Sequence, residues 1–192
     1  LRDRGFAVAA IDWRGQGLSQ RREATPHLGH VGRFLHYQRD LDALHRQVLQ
    51  FLCPRPWFAL AHSMGAAILL SQARNGASPF ERIVLTAPMI EIAGLGANPL
   101  VRGAIELFDL AGFGAAFAPG VGRTSAMTRP FDGNDLTSDP VRYSRNGDIV
   151  SAAPQLAVGG PTIGWANAAL RVTRRFADPD FPRRTATPIL IF

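Results

Sequence analysis

Ser63 is the residue around which chemistry is most readily built. It stands in Ala61-His62-Ser63-Met64-Gly65-Ala66, between an apolar run at 57–61 and strong helix formers at 66–74. A serine hydroxyl becomes a useful nucleophile when a base takes its proton and fixed donors hold the charge that develops on the attacked carbonyl oxygen. A serine at the junction of a buried strand and a helix sits on a sharp turn that presents its hydroxyl above the sheet. That turn brings the residues two before and two after almost into contact, and Ala61 and Gly65 are small enough to allow it. The helix aims its free N–H groups and positive dipole end at the same place, so the Met64 backbone N–H is the expected oxyanion donor. The same residues also fit a tight strand-to-helix turn with no chemistry.

No other residue makes as strong a case. The five histidines are His27, His30, His36, His45 and His62, and none lies far downstream of Ser63. His62 points away from its neighbour and is expected to pack beneath the turn. Asp12 ends an apolar run and reads as a loop-stabilising carboxylate. Asp178 and Asp180 precede the last apolar run, at its wrong end for a catalytic acid. Arg14 fits a pocket mouth or a surface turn equally well; Trp13 and the Met64 side chain read as packing. Cys53 is alone, which excludes an internal disulfide and a multi-cysteine zinc site, and it reads as a small half-buried hydrophobe. With no metal constellation and no dinucleotide glycine pattern, no cofactor is expected.

The elements that must position Ser63 follow from periodicity. The runs at 6–11, 57–61 and 82–87 are short, continuous and apolar, as strands buried on both faces are. Tyr37, Leu41, Leu44, Val48 and Phe51 recur at helical spacing until Pro54 and Pro56. The helix at 66–74 meets Asn75-Gly76, a helix-stopping pair. Strand, helix, strand, helix, strand predicts a parallel α/β sheet. After Met89 the composition turns to Gly, Ala and Pro. Helices are predicted at 99–110, amphipathic through Leu100, Val101, Ala104, Ile105 and Phe108, whose apolar face (Leu100, Ile105, Phe108) reads as core of the insertion with acyl-chain contact as the alternative; from Asp139-Pro140 to about Asn146-Gly147, with Asp139 as cap; and at 165–176. The run at 187–192 is again a strand. The expected division is therefore a partial core at 1–88, a helical insertion at 89–184, and a further core strand at 185–192.

The chain has 192 residues, 46% hydrophobic and 19% charged, which suits one domain able to bury its own core. No apolar run reaches the roughly 18 residues of a membrane span. The net charge of +6 is carried entirely by arginine. The arginines are scattered and not interleaved with aromatics, which argues against a nucleic-acid partner but leaves contact with a membrane surface or a phosphate-bearing substrate open. Arg102, Arg142, Arg145 and Arg171 are candidates to attract a phosphate head group. The chain opens on Leu1 and closes on an apolar run without a turn, so both ends read as cuts through a domain, and any signal peptide would precede Leu1.

Gly15-x-Gly17-x-Ser19, Ala61-His62-Ser63-Met64-Gly65 and Val84-Leu85-Thr86-Ala87-Pro88-Met89 together resemble the α/β-hydrolase superfamily. More narrowly they look like its bacterial lysophospholipase and monoacylglycerol-lipase branch, a resemblance that runs over essentially the whole chain. Asn134-Asp135-Leu136-Thr137-Ser138-Asp139-Pro140-Val141-Arg142-Tyr143 and Gly159-Gly160-Pro161-Thr162-Ile163-Gly164-Trp165 resemble cap signatures of that branch. The resemblance implies an α/β-hydrolase fold with an inserted helical cap, truncated at both ends. It implies Ser63 as nucleophile, with an acid beyond the strand at 187–192, a histidine one strand later, and a first oxyanion donor before Leu1. The implied substrate is a lysophospholipid or monoacylglycerol, and the implied location cytoplasmic or peripheral to the inner membrane. A serine aminopeptidase on the same scaffold, for which Glu91 and Glu106 are the acidic cap residues at hand, and a non-catalytic fragment are the alternatives. The oligomeric state is left open.

Overall fold

The computed structural model describes residues 1–22, 25–74, 76, 78–96, 98–134 and 136–192. The helices and strands run α1 (Leu35–Leu44), a π-helical turn (His45–Leu49), α2 (Gln50–Leu52), β1 (Phe58–His62), α3 (Met64–Arg74), β2 (Arg82–Thr86), α4 (Pro99–Leu110), α5 (Pro140–Ala152), α6 (Ile163–Phe176) and β3 (Ile189–Ile191). Short 3-10 turns lie between them. The chain forms two compact units: Leu1–Ile11, Arg33–Ala104 and Ala168–Phe192 in one, Asp12–Gly32 and Ile105–Asn167 in the other.

The first unit holds a parallel sheet in the order β1-β2-β3, with Ala61 opposite Leu85 and Leu85 opposite Ile191. Parallel neighbours need a crossover. α3 lies in the connection from β1 to β2 and packs on both strands, burying Ala66, Ala67, Ile68, Leu69 and Leu70. β2 is the central strand, so its alternate residues Ile83 and Leu85 are buried. α1 is tied to α3 by Gln38 Nε2, which donates to the Ile68 carbonyl at 2.8 Å. Arg74 at the end of α3 pairs with Asp178 at 3.2 Å.

Three expectations in this unit need correction, and a fourth lies partly outside the described residues. The run at 6–11 forms no strand, and Phe6 and Val8 are exposed. A strand persists only through a hydrogen-bonded neighbour, and among the described residues nothing ladders with this run; Phe6 only meets Phe58 edge-on at 6.4 Å. β1 is not buried on both faces: it is an edge strand, with Phe58 and Leu60 exposed. The stripe from Tyr37 to Phe51 does not continue as a single face. The π turn inserts extra backbone, rotating the register, so Leu49 is buried while Phe51 is exposed. The α3 stop rests partly on Asn75, which lies outside the described residues; Gly76 does take the left-handed φ of +70°.

The second unit is knitted by loops. The Arg21 guanidinium donates to four carbonyls, those of Gly17 (3.0 Å), Pro26 (2.9 Å), Leu156 (3.2 Å) and Ala157 (2.7 Å). Asp139 caps α5 through the Val141 and Arg142 N–H groups, with Pro140 in the first turn, as expected. α5, however, passes through Asn146-Gly147 to Ala152. Gly147 marks close packing rather than a stop, since a Cβ there would sit 3.1 Å from the Met127 carbonyl.

Candidate active site

β1 ends at His62 and α3 begins at Met64, leaving Ser63 alone at the corner. Its φ is +49°, a left-handed value that residues with a side chain rarely adopt. Hydrogen bonds hold it there: the Ser63 N–H donates to the Thr86 carbonyl at 3.2 Å, and the Ser63 carbonyl accepts from Ala67 N at 3.2 Å and Met89 N at 3.1 Å. The corner is therefore fastened both to the first turn of α3 and to the chain leaving β2. Met64 follows as the first residue of α3.

Sequence reasoning missed a second corner beside the first. Ala87, one residue past β2, has φ +42°, and its N–H donates to the Phe192 carbonyl at 2.9 Å. Ser63 and Ala87 are the non-glycine residues with positive φ among those described. They close two adjacent strands at the same sheet end, where ligands bind in open α/β sheets. The only sequence cue was the Ala-Pro step after an apolar run, and an alanine carries no mark of a left-handed backbone.

His62 does not pack beneath the turn. It continues the exposed alternation of Phe58 and Leu60 along β1, and its Nδ1 lies 3.0 Å from the Thr86 hydroxyl. The Ser63 hydroxyl has no hydrogen-bond partner among the described residues. Asp12 does stabilise its loop: its carboxylate accepts from Leu18 N at 2.9 Å and its carbonyl from the Ser19 hydroxyl. A Cβ at Gly17 would collide with that carboxylate, which explains the second glycine of the Gly15-x-Gly17-x-Ser19 loop. Cys53 is half-buried, as expected. Asp178 is held below the usual carboxylate range by the Asp180 N–H and by Arg74.

The two cap-like signatures have structural explanations within the second unit. Asn134 Oδ1 accepts from Leu136 N and Thr137 N, Thr137 Oγ1 accepts from Asp139 N, and the buried Tyr143 donates its hydroxyl to the Ala126 carbonyl at 2.8 Å; Asp135 lies outside the described residues. Gly159 passes so close to Gly122 that a Cβ would lie 2.8 Å from its carbonyl. Thr162 caps α6 by accepting from Trp165 N at 3.1 Å, and its hydroxyl lies 2.9 Å from His30 Nδ1. A groove of about 380 Å³ in this unit has Arg129 as its one charged lining residue, alongside apolar Val121, Met127, Val150 and Leu156. It offers no acid–base pair. Among the described residues no cluster of three or more His, Cys, Asp or Glu is arranged to hold a metal ion, and no helix is long and apolar enough to cross a membrane.

A family model described as serine aminopeptidase S33 (Hydrolase_4) matches residues 1–192. Lysophospholipase L2 of Escherichia coli K12 is 39% identical over 170 residues, covering 86% of this chain and 48% of that protein. A probable lysophospholipase L2 of Haemophilus influenzae is 30% identical over 188 residues, covering 97% of this chain and 58% of that protein. The chain thus spans about half the length of the curated relatives it matches. Among solved structures, a thermostable carboxyl esterase from Bacillus coagulans superposes with TM-score 0.66 at 16% identity, over 92% of this chain and 57% of that one. A monoacylglycerol lipase from Paleococcus ferrophilus does so with TM-score 0.62 at 15% identity, over 95% and 60%. At such identities the structural likeness speaks for the fold: a parallel sheet with helices of the α/β-hydrolase kind.

Proposed function

The chain belongs to the Hydrolase_4 family, in the lysophospholipase and monoacylglycerol-lipase-like branch of the α/β-hydrolases, and on that premise we propose that the complete protein hydrolyses carboxylic esters of single-chain lipids through an acyl-enzyme on Ser63. The observation that carries this reading is the left-handed Ser63 between β1 and α3. Holding a serine in that conformation costs about 1–2 kcal/mol, a strain that tends to persist where it serves a site. In the proposed reaction Ser63 Oγ attacks the ester carbonyl carbon and gives its proton to a general base. The Met64 N–H stabilises the oxyanion, and collapse releases the alcohol, which takes the proton. Water then hydrolyses the acyl-serine by the reverse proton path. A base must come within about 2.6–3.2 Å of Oγ. None of the described residues does, so the reading assigns the base and its orienting acid to other parts of the complete protein. The predicted insertion at 89–184 is read as the cap that selects substrate.

The name of the matching family model favours a second reading, a serine aminopeptidase using the same Ser63 chemistry on an amide. The experiment measures kcat/KM of the complete protein on a lysophospholipid, a monoacylglycerol and an aminoacyl-naphthylamide, with Ser63→Ala alongside. The expected result is preference for a lipid ester, abolished in a folded Ser63→Ala by a factor on the order of 10⁴ to 10⁶. Preference for the amide moves the protein to the aminopeptidase reading. Unchanged turnover in Ser63→Ala removes Ser63 as nucleophile.

A further inference from the structure

Thr86, at the end of β2, is bonded to each of the residues 61, 62 and 63 that lead β1 into its corner. Its carbonyl accepts from the Ser63 N–H at 3.2 Å. Its hydroxyl lies 3.0 Å from His62 Nδ1 and donates to the Ala61 carbonyl at 3.4 Å. A threonine hydroxyl has a single hydrogen. With that hydrogen on the Ala61 carbonyl, the oxygen accepts from His62 Nδ1–H. The sheet register makes this set of contacts possible: His62 and Thr86 stand opposite one another in the parallel pair, so their side chains leave the same face of the sheet. Thr86 also directly precedes Ala87, and thus joins the two left-handed corners.

These contacts bear on how the Ser63 hydroxyl is aimed. That hydroxyl has no hydrogen-bond partner among the described residues, so its direction is inherited from the backbone that carries it. On the helix side, Ala67 N and Met89 N hold the Ser63 carbonyl. On the strand side, Thr86 does the holding. Its carbonyl pins the peptide plane between His62 and Ser63, and its hydroxyl pins the plane between Ala61 and His62 together with the His62 ring. A half-buried, neutral hydrogen bond of this kind adds little to stability, whereas displacing a reacting group by about 1 Å can cost on the order of 100-fold in rate. We propose that Thr86 is a positioning residue for Ser63: its hydroxyl, bridging Ala61 and His62, holds the peptide planes on either side of His62 so that Ser63 Oγ is presented to the substrate carbonyl. The inference rests on the reading of Ser63 as nucleophile, and it applies to an ester and an amide alike.

The test uses the complete protein and a soluble short-chain ester, at a temperature where every variant is folded. Thr86→Val keeps the shape and the backbone carbonyl but loses the hydroxyl; Thr86→Ser restores the hydroxyl; Ser63→Ala is measured alongside. Thr86→Val is expected to lower kcat by about tenfold while KM changes by less than about twofold, the pattern of an interaction made in the transition state. Its Ser63 is expected to react correspondingly more slowly with a fluorophosphonate. Thr86→Ser is expected to stay within about threefold of the unaltered protein. His62→Leu breaks the bridge from the other side and is expected to lower kcat by a similar factor, which keeps the inference open to test if the valine variant does not fold. Full kcat in a folded Thr86→Val, an equal loss in Thr86→Ser, or a change confined to KM overturns the positioning role and leaves Ser63 as nucleophile. Turnover retained by Ser63→Ala overturns the nucleophile reading, and this inference with it.

Discussion

At the scale of single residues, the candidate site is two backbone corners rather than a set of side chains. Ser63 and Ala87 close neighbouring strands in left-handed conformations, tied through the Thr86 and Phe192 carbonyls and the Met89 N–H. The serine was readable because its neighbours are patterned for a tight turn: alanine and glycine at two residues' distance, a strand before and a helix after. Ala87 was not readable, because its geometry is imposed by the sheet and left no trace in residue type. Its strain is testable. Ala87→Gly removes the Cβ from a left-handed position, which offsets the greater freedom glycine has when unfolded, so stability is expected within about 1 kcal/mol of the unaltered protein. Ala87→Val places a β-branched side chain at φ +42° and is expected to destabilise by about 2 kcal/mol or more. Urea midpoints at unchanged slope measure both; equal midpoints for the two variants would remove strain from the account of this corner.

At the scale of elements, the N-terminus of α6 carries a titratable latch. The His30 ring lies 2.9 Å from the Thr162 hydroxyl that caps the helix, and a Cβ on Gly164 would sit 2.8 Å from the ring. Burial holds its pKa below the ordinary 6.5, assisted by Arg22 and opposed by Asp109. Nearby helix N–H dipoles also disfavour an imidazolium. The fold thus prefers neutral His30. Below pH 6.5 the unfolded chain binds the proton more readily than the folded one, so this stability is complete above that value and is lost as pH falls through the folded pKa. The thermal midpoint is expected to drop between about pH 7 and about pH 5 by more in the unaltered protein than in His30→Gln, which has no proton to gain. Parallel profiles would dismiss the latch. Asp178, lowered from 3.8, acts only at more acidic pH and does not enter this window. The elements also show how pattern misleads: α4 has the range expected of it, yet Leu100 and Phe108 of its anticipated core stripe are exposed.

At the scale of the whole molecule, exposed apolar residues gather along the sheet. Phe58 and Leu60 on β1, and Leu190, Ile191 and Phe192 at and beyond β3, are open to solvent. Edge strands with such side chains are templates for pairing with another chain. A polypeptide of these 192 residues is therefore expected to associate with rising concentration, and Leu60→Lys to lower its mean mass in light scattering. A monomer at all concentrations would show that these edges are protected.

Local sequence by itself determined the elements whose signals are local: the serine corner, α3 with its alanine-rich face, α4, the Asp139 cap of α5, α6, and β2 and β3. Each rests on periodicity, capping chemistry or turn sterics that a few neighbouring residues contain. It also determined family membership, because the motifs at 15–19, 61–65 and 84–89 are short and ordered. Tertiary structure decided what depends on partners distant in the chain. Whether residues 6–11 form a strand depends on a neighbour to bond with. Which face of β1 is covered, and hence where His62 points, depends on the sheet order. Which face of α4 turns inward is a matter of distant packing, where Asp109 accepts from Asn167 and lies against Gly114. Periodicity states which residues share a face; only packing states what that face meets.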